Sequence, residues 1–448
     1  MSLQLKECLE IVLDPNPTFY KKIKVHTKEF KNKLFTLSLF VITATSIFLL
    51  ISYQAIYPTI IPMIKNGSLH LFADWSVILN ANICSEKGYD VYLYNPCDQW
   101  ERKHVYGDFL LNIPFIKDFN NFYFIYLPVI FNLLFVYVLI SFFQFRRKIE
   151  NLTIIPFIFS ASTILAIERA NIDIVIFLLM IFVSYNKKIF FNYLSIILVT
   201  VSKFYPISLL SVFLFEKNFK RIIFNCLFLS LIIFIIFYFQ ADEIKKIFAN
   251  SKQFTATGIY NFSFKGLITY VVNLNIVINN QDFNWIKYCM LVFCLILPLV
   301  LTLIKWLKYI FTNESIKTLL LNNVYPNRLY VLSSIVVLTC YFAFSNYIYR
   351  EIFFLGLIPW ILRRKISLND NRFFNVYFYV LVGKFFVSTV LIYFNRNEIF
   401  TTYHAMFTLI KHCFDFYLIL LVLIVLLSSV KFLVENQLNL MFHKKSDI

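Results

Sequence analysis

Strict apolar–polar alternation is absent from this chain of 448 residues, which excludes an outer-membrane barrel. There is no HExxH, no P-loop, no GxSxG and no pair of CxxC motifs, so several familiar hydrolytic chemistries lack their residues. No DxD-type acidic pair occurs in the segments assigned below to the outside, so no metal and no cofactor is expected. No inverted repeat is evident, which disfavours a transporter built from paired halves. Nor is a cleavable leader evident. The first apolar run follows about 33 polar residues and is long enough to stay as an anchor.

Charge is scarce as well. Asp, Glu, Lys and Arg make up 15% of the residues, and the acids are outnumbered 25 to 42, for a net charge of +17. Such a surplus could serve nucleic-acid binding or the retention of cytoplasmic loops. The remaining composition favours the second reading: 59% apolar, 19% aromatic, mean hydropathy +0.70. Apolar runs recur along the whole length. The chain therefore reads as an all-α polytopic membrane protein whose environment is a lipid bilayer, with no nucleic-acid partner.

About twelve spans are expected, within a range of roughly ten to fourteen. Residues 1–33 form a basic cytoplasmic segment, 34–433 one membrane domain, and 434–448 a cytoplasmic tail. The first span covers 34–57, a polar loop 58–121, and the second span 122–145, closed by Arg146, Arg147 and Lys148. Four apolar runs then follow at 152–167, 174–185, 189–202 and 204–215. A helical run of about 12 residues rises about 18 Å, against a hydrocarbon core of about 30 Å. Polar groups at the ends of such helices sit at membrane depth, where only protein or a wet cavity can hold them. A full span then runs to about Gln240, a second polar stretch covers 241–284, and spans follow at 286–304, 329–345, 351–362, 373–394 and 413–433. The loops assigned inside are short and rich in Lys and Arg, so both termini are expected to be cytoplasmic, in a bacterial inner membrane.

With this orientation, five polar clusters share the outer side. Asp74 lies in HLFADWSVILNANIC, read as an interfacial helix with Leu71, Phe72, Trp75, Leu79 and Ile83 as its apolar stripe. Asp74 is either a helix-start acid favoured by the dipole or a working carboxylate. Glu168, Arg169, Asn171 and Asp173 fall in ERANID, between two short helices, as a hairpin salt bridge or as ligand-binding groups. Lys203, Tyr205 and Pro206 fall at the next tip; Lys203 either snorkels to the surface or binds a phosphate. Asn346, Tyr347, Tyr349, Arg350 and Glu351 form the fourth cluster. There Arg350 either pairs with Glu351, from which adjacent helical geometry turns it away, or forks onto a phosphate. The fifth is GYDVYLYNPCDQWERKHVYG, whose Tyr, Trp and Asp residues suit sugars or an ordered loop. Most of the eight Cys lie in apolar runs, whereas Cys84 and Cys97 share the first loop and are either a disulfide or two free thiols.

Taken in order, FADWSVILNA with GYDVY, ERANIDIVIFLL, SKFYPISLL and SNYIYREIFF resemble the polytopic glycosyltransferases of the C-type (GT-C) fold. The nearest likeness is to glycosyltransferase family 87, the polyprenyl-phosphate-mannose-dependent α-1,2-mannosyltransferases and their bacterial relatives. The resemblance covers about residues 70–360, and the last 80 or so match no motif. It implies a polyprenyl-phosphate-sugar donor, a glycan or glycolipid acceptor, no metal, and inversion at the anomeric carbon. It implies Asp74 as general base. Lys203, Arg350 and Arg169 are then candidate phosphate ligands, and Glu168, Asn171, Asp173, Tyr205, Asn346 and Tyr347 candidates for binding sugar or orienting the cations. Relatives often carry Gly where this chain has Ala170. A lipid-linked saccharide transporter or flippase, and a polysaccharide polymerase or ligase, remain the competing readings.

Overall fold

The structure, a computed structural model, describes residues 33–49, 71–114, 116, 118–142, 152–216, 218–251, 260–269, 285–343, 346–367, 372–394 and 401–446. The basic N-terminal segment 1–32, the basic closure at Arg146–Lys148 and much of the second polar stretch lie outside the described residues. Among those described, the chain is helical, and its only extended feature is a single antiparallel bridge between Asn261 and Tyr347. Four described helices are long and apolar enough to cross a membrane: Phe122–Ser141, Phe219–Phe239, Arg372–Ile392 and Thr408–Gln437. Phe219–Phe239 leaves Phe224, Leu227, Phe234, Tyr238 and Phe239 exposed, a surface that suits lipid rather than water.

The short runs are short helices. Asp173–Tyr185 and Ile189–Ser202 are α-helical, and Tyr205–Phe215 is a 3-10 helix with Pro206 in its first turn, where a missing N–H costs nothing. The run expected at 152–167 is two pieces. Ile155–Ile158 ends at Phe159, and Ala161–Arg169 begins afresh at Ser160, whose hydroxyl accepts the Thr163 N–H at 3.4 Å. That second piece ends at Ala170 in the left-handed conformation (φ 45°), a backbone that glycine adopts freely and alanine adopts at a cost of about 1 kcal/mol.

The core is built around Tyr325–Ala343. Leu329, Tyr330, Val331, Leu332, Val336 and Val337 are all fully buried, and Asn327, Arg328, Ser333 and Ser334 are buried with them, so most of this helix sits inside the bundle. Against it pack Tyr205–Phe215 and a second 3-10 helix, Ile348–Leu357. Gly356 allows the latter approach, since a Cβ there would stand 1.8 Å from Ser333 Oγ.

The helix read as interfacial spans Ala73–Glu86 and is buried on nearly all sides. Trp75, Ile78 and Leu79 pack with Tyr106, Leu110 and Ile172, while Ala81 and Cys84 pack with Val91, Tyr92 and Leu111. The loop that follows folds back over the face expected to meet water. Cys84 and Cys97 are joined by a disulfide across a separation of 13 residues, fastening that loop to the helix end. Gly107 then touches the neighbouring hairpin: its N–H donates to Ser202 O at 3.1 Å, and a Cβ would lie 1.7 Å from Val201 O.

His104 is fully buried between the rings of Tyr92 and Tyr106, 5.4 and 5.6 Å away. Burial pushes its imidazole down to about 4. The neutral ring is therefore the folded form, and the unfolded chain takes up a proton first as the pH falls. Stability from this site is full above about pH 6.5 and is lost as the pH drops towards 4, by up to roughly 3 kcal/mol. Thermal unfolding measured between pH 7.5 and 4 should show this slope in the wild type and a flatter one in His104→Phe. Equal slopes would contradict it.

Candidate functional site

Asp74 stands in the first turn of Ala73–Glu86, where the helix dipole favours an acid, yet its side chain caps no backbone N–H of that helix. The residue before the helix, Phe72, is left-handed (φ 63°) and donates its N–H to Glu168 O at 2.8 Å. This joins the first loop to the ERANID hairpin and aims the carboxylate at it. Arg169 Nη1 donates to Asp74 Oδ1 at 3.0 Å, and Asn171 Nδ2 donates to Asp74 Oδ2 at 2.7 Å. Arg102 Nη1 lies 3.5 Å from the same Oδ1.

Asn171 is the connecting residue. Its amide nitrogen serves Asp74, while its Oδ1 accepts from Lys203 Nζ at 3.4 Å and from the Asp173 N–H at 3.0 Å. The left-handed turn at Ala170 points it inward. Asp173, fully buried at the head of Asp173–Tyr185, accepts from Lys203 and from Tyr205 OH (2.8 Å) on Oδ1, and its Oδ2 faces Arg350 Nε at 3.4 Å. Arg350 lies over the Tyr205 ring at 4.8 Å, and the Lys203 ammonium lies over Tyr106 at 5.2 Å. One network thus runs from Arg102 through Asp74, Asn171 and Asp173 to Arg350. It draws on the first loop, two hairpins and the Ile348–Leu357 segment.

The expected residues divide into three groups. Asp74, Arg169, Asn171, Asp173, Lys203, Tyr205 and Arg350 meet in this network. Glu168 is buried beside it, 3.9 Å from Arg169 Nε. Tyr347 stacks on Tyr349 at 5.7 Å, and both stand close enough to Asp74 to interact with its charge. Asn346 is turned into the scaffold: its side-chain amide donates to Cys340 O, and its backbone carbonyl accepts the Phe262 N–H at 2.8 Å. Glu351 faces away from Arg350 and pairs elsewhere, because neighbouring helical side chains diverge.

The sequence reading passed over Arg102 and its partner Asp98. Arg102 donates to both Asp98 oxygens at 2.9 Å and to Ala73 O at 2.8 Å, and lies over Trp100 at 4.5 Å. Burial pushes the Asp98 carboxyl up, but the hydrogen bonds and charge of Arg102 outweigh it and hold it below its ordinary value. Within DQWERKHVYG these charges look like any solvated loop. Only the proximity of Trp100, able to cover a guanidinium, hinted otherwise.

The two carboxylates differ in one respect that matters for chemistry. The Asp173 side chain is sealed at 0% exposure, whereas Asp74 keeps 12%, with Arg169 at 22% and Arg102 at 21% beside it. Asp173 anchors cations, and Asp74 meets the outside. No group of His, Cys, Asp and Glu suited to a metal ion occurs among the described residues.

Asn171→Leu removes the shared amide and leaves part of two buried ionic groups without a partner, which should cost about 1–3 kcal/mol in thermal or denaturant unfolding. Asn171→Asp sets a third carboxylate 2.7 Å from Asp74. It should be the more damaging change at pH 7.5 and recover on mild acidification. An Asn171→Asp protein as stable as wild type at pH 7.5 would contradict the bridging role.

No protein-family model, no curated protein and no solved structure matches the chain.

Proposed function

We propose that the protein is a membrane glycosyltransferase of the C-type fold, with about twelve spans, working on the extracytoplasmic face. It moves a sugar, mannose in the nearest likeness, from a polyprenyl-phosphate donor to a glycan or glycolipid acceptor, with inversion. The observation that supports this best is the convergence of one reachable carboxylate, Asp74, with four cations. Arg102, Arg169, Lys203 and Arg350 reach that one network from four separate segments. The sequence motifs in their order supply the donor class, and the apolar helices supply the bilayer.

Chemically, an acceptor hydroxyl is a weak nucleophile, and a carboxylate within hydrogen-bond reach takes its proton as the glycosidic bond forms. The bond between the anomeric carbon and the phosphate oxygen breaks on the opposite face, and the electron pair leaves with the polyprenyl phosphate. That group departs as an anion and needs charge stabilisation rather than a proton. Arg169 is suited to serve both ends. In the resting protein it occupies Asp74, and an arriving phosphate competes for its guanidinium, which has five donors in a planar fork. Donor binding then draws Arg169 off Asp74 and opens Oδ1 to the acceptor, while Asn171 and Arg102 keep the carboxylate in place. Lys203 and Arg350 complete the cationic wall, held in position by Asp173. In this reading a prenyl chain enters between the short helices around the site.

In a purified, lipid-reconstituted assay with labelled polyprenyl-phosphate sugars, Asp74→Asn should insert and unfold like wild type but transfer roughly a hundred- to ten-thousandfold more slowly. Arg169→Gln should raise the KM for donor and leave the KM for acceptor unchanged. Wild-type turnover by Asp74→Asn would remove it as the base. Movement of an intact lipid-linked saccharide without a new bond would favour the flippase, and transfer of a preassembled block would favour the polymerase or ligase.

A further inference from the structure

A second set of ionisable side chains lies buried apart from the Asp74–Asp173 network. Glu351, Lys384 and Asp415 are fully buried and Lys411 is 1% exposed. They come from Ile348–Leu357, Arg372–Phe394 and Thr401–Ser446. Lys411 Nζ lies 2.8 Å from Asp415 Oδ2 and 3.6 Å from Glu351 Oε1. Lys384 Nζ lies 3.4 Å from Asp415 Oδ1 and in direct contact with Glu351. The four close into a ring of alternating sign with no net charge. Three aromatic rings, those of Phe262, Phe354 and Phe385, face the Lys384 ammonium at 5.2–5.3 Å.

Stability alone explains such a ring poorly. Desolvating each charge costs several kcal/mol, and apolar residues of similar volume hold a core as well or better. What an ionic ring adds is a fixed orientation, and two connections lead from it to the candidate site. The first is covalent: Glu351 follows Arg350 in a 3-10 helix, where successive side chains diverge by about 120°. Anchoring Glu351 on the ring side turns Arg350 to the other, towards Asp173 and over Tyr205. The second runs through Lys411, which also donates to Asn261 O at 2.8 Å. Asn261 forms the bridge with Tyr347, and the next residue, Phe262, donates to Asn346 O. The strip from Asn346 to Arg350 is therefore held from both ends by the same four charges.

We propose that the Glu351–Lys384–Asp415–Lys411 ring is a positioning device that fixes Arg350 against Asp173 and so presets the cationic wall for a phosphate. The C-terminal helices, which matched no functional motif, thereby contribute to the site without touching it. The orientation of Arg350 is independent of the reaction; only its use towards a donor phosphate rests on the function proposed above.

The test reads Arg350 directly. Purified protein in detergent is treated with phenylglyoxal, and the rates of modification at Arg350 and Arg169 are followed by peptide mass spectrometry. Glu351→Gln and Lys411→Met should each speed modification of Arg350 by about tenfold while Arg169 keeps its wild-type rate. Lys411→Arg, which retains the charge, should restore protection. If Lys411→Met does not fold, Lys411→Met with Asp415→Leu removes one charge of each sign and is read in the same way. An unchanged Arg350 rate in the neutralised variants, or parallel acceleration at both arginines, overturns the proposal. In the transfer assay the same variants should raise the KM for donor and leave the KM for acceptor unmoved. Release of Arg350 in the variants together with no sugar transfer by the wild type would overturn the glycosyltransferase reading and leave the positioning role standing.

Discussion

The Asn171 side chain is the constraint on which the site depends. Asp173 sits at the end of an apolar hairpin and Asp74 on the first-loop helix packed against it, where an unpaired buried charge would cost several kcal/mol. One amide divides itself between them, donating to Asp74 and accepting from Lys203 and the Asp173 backbone. Each carboxylate then takes cations from a different part of the chain: Arg169 and Arg102 for one, Lys203 and Arg350 for the other. The network acts as a fold determinant as much as a candidate site. It fastens the first loop, both hairpins and the Ile348–Leu357 segment to one another at a level where hydrophobic packing alone would leave their register free.

The division between a sealed and an exposed acid gives the arrangement its chemical character. Asp173 is saturated by partners and shut from solvent, which suits an anchor. Asp74 is paired but reachable, and its partners are arginines on mobile-length side chains that a stronger anion can draw away. In the structure the site is self-neutralised, and the function proposed above has the arriving phosphate open it.

Much of this was legible in the sequence, though unevenly. The helical, apolar character followed from composition, and the undersized runs at 174–185 and 189–202 were visible from their lengths. Their ends collected Asp173 and Lys203, because polar groups at membrane depth need a shared refuge. The buried state of Ala73–Glu86 was not legible. Its apolar spacing fitted an interfacial helix, and only the fold of the following loop, fastened at Cys84–Cys97 and docked through Gly107, decides what covers the other face. Arg102 was hidden among ordinary loop charges. Lys384, Lys411 and Asp415 were hidden for a different reason: Lys411 and Asp415 stand four residues apart on one long helix, but nothing in a linear reading brings that pair, or Lys384 from another helix, to Glu351. Short-range spacing identified the hairpin tips, whereas long-range pairing stayed invisible.

The most direct measurement is an experimental structure of the protein with a polyprenyl phosphate bound in lipid nanodiscs. The phosphate should be found between Arg169, Lys203 and Arg350, with the Arg169 guanidinium drawn off Asp74 and the prenyl chain leaving between the short helices. A phosphate seated elsewhere, with Asp74 and Arg169 still paired as in the free protein, would contradict the shared pocket and the chemistry built on it.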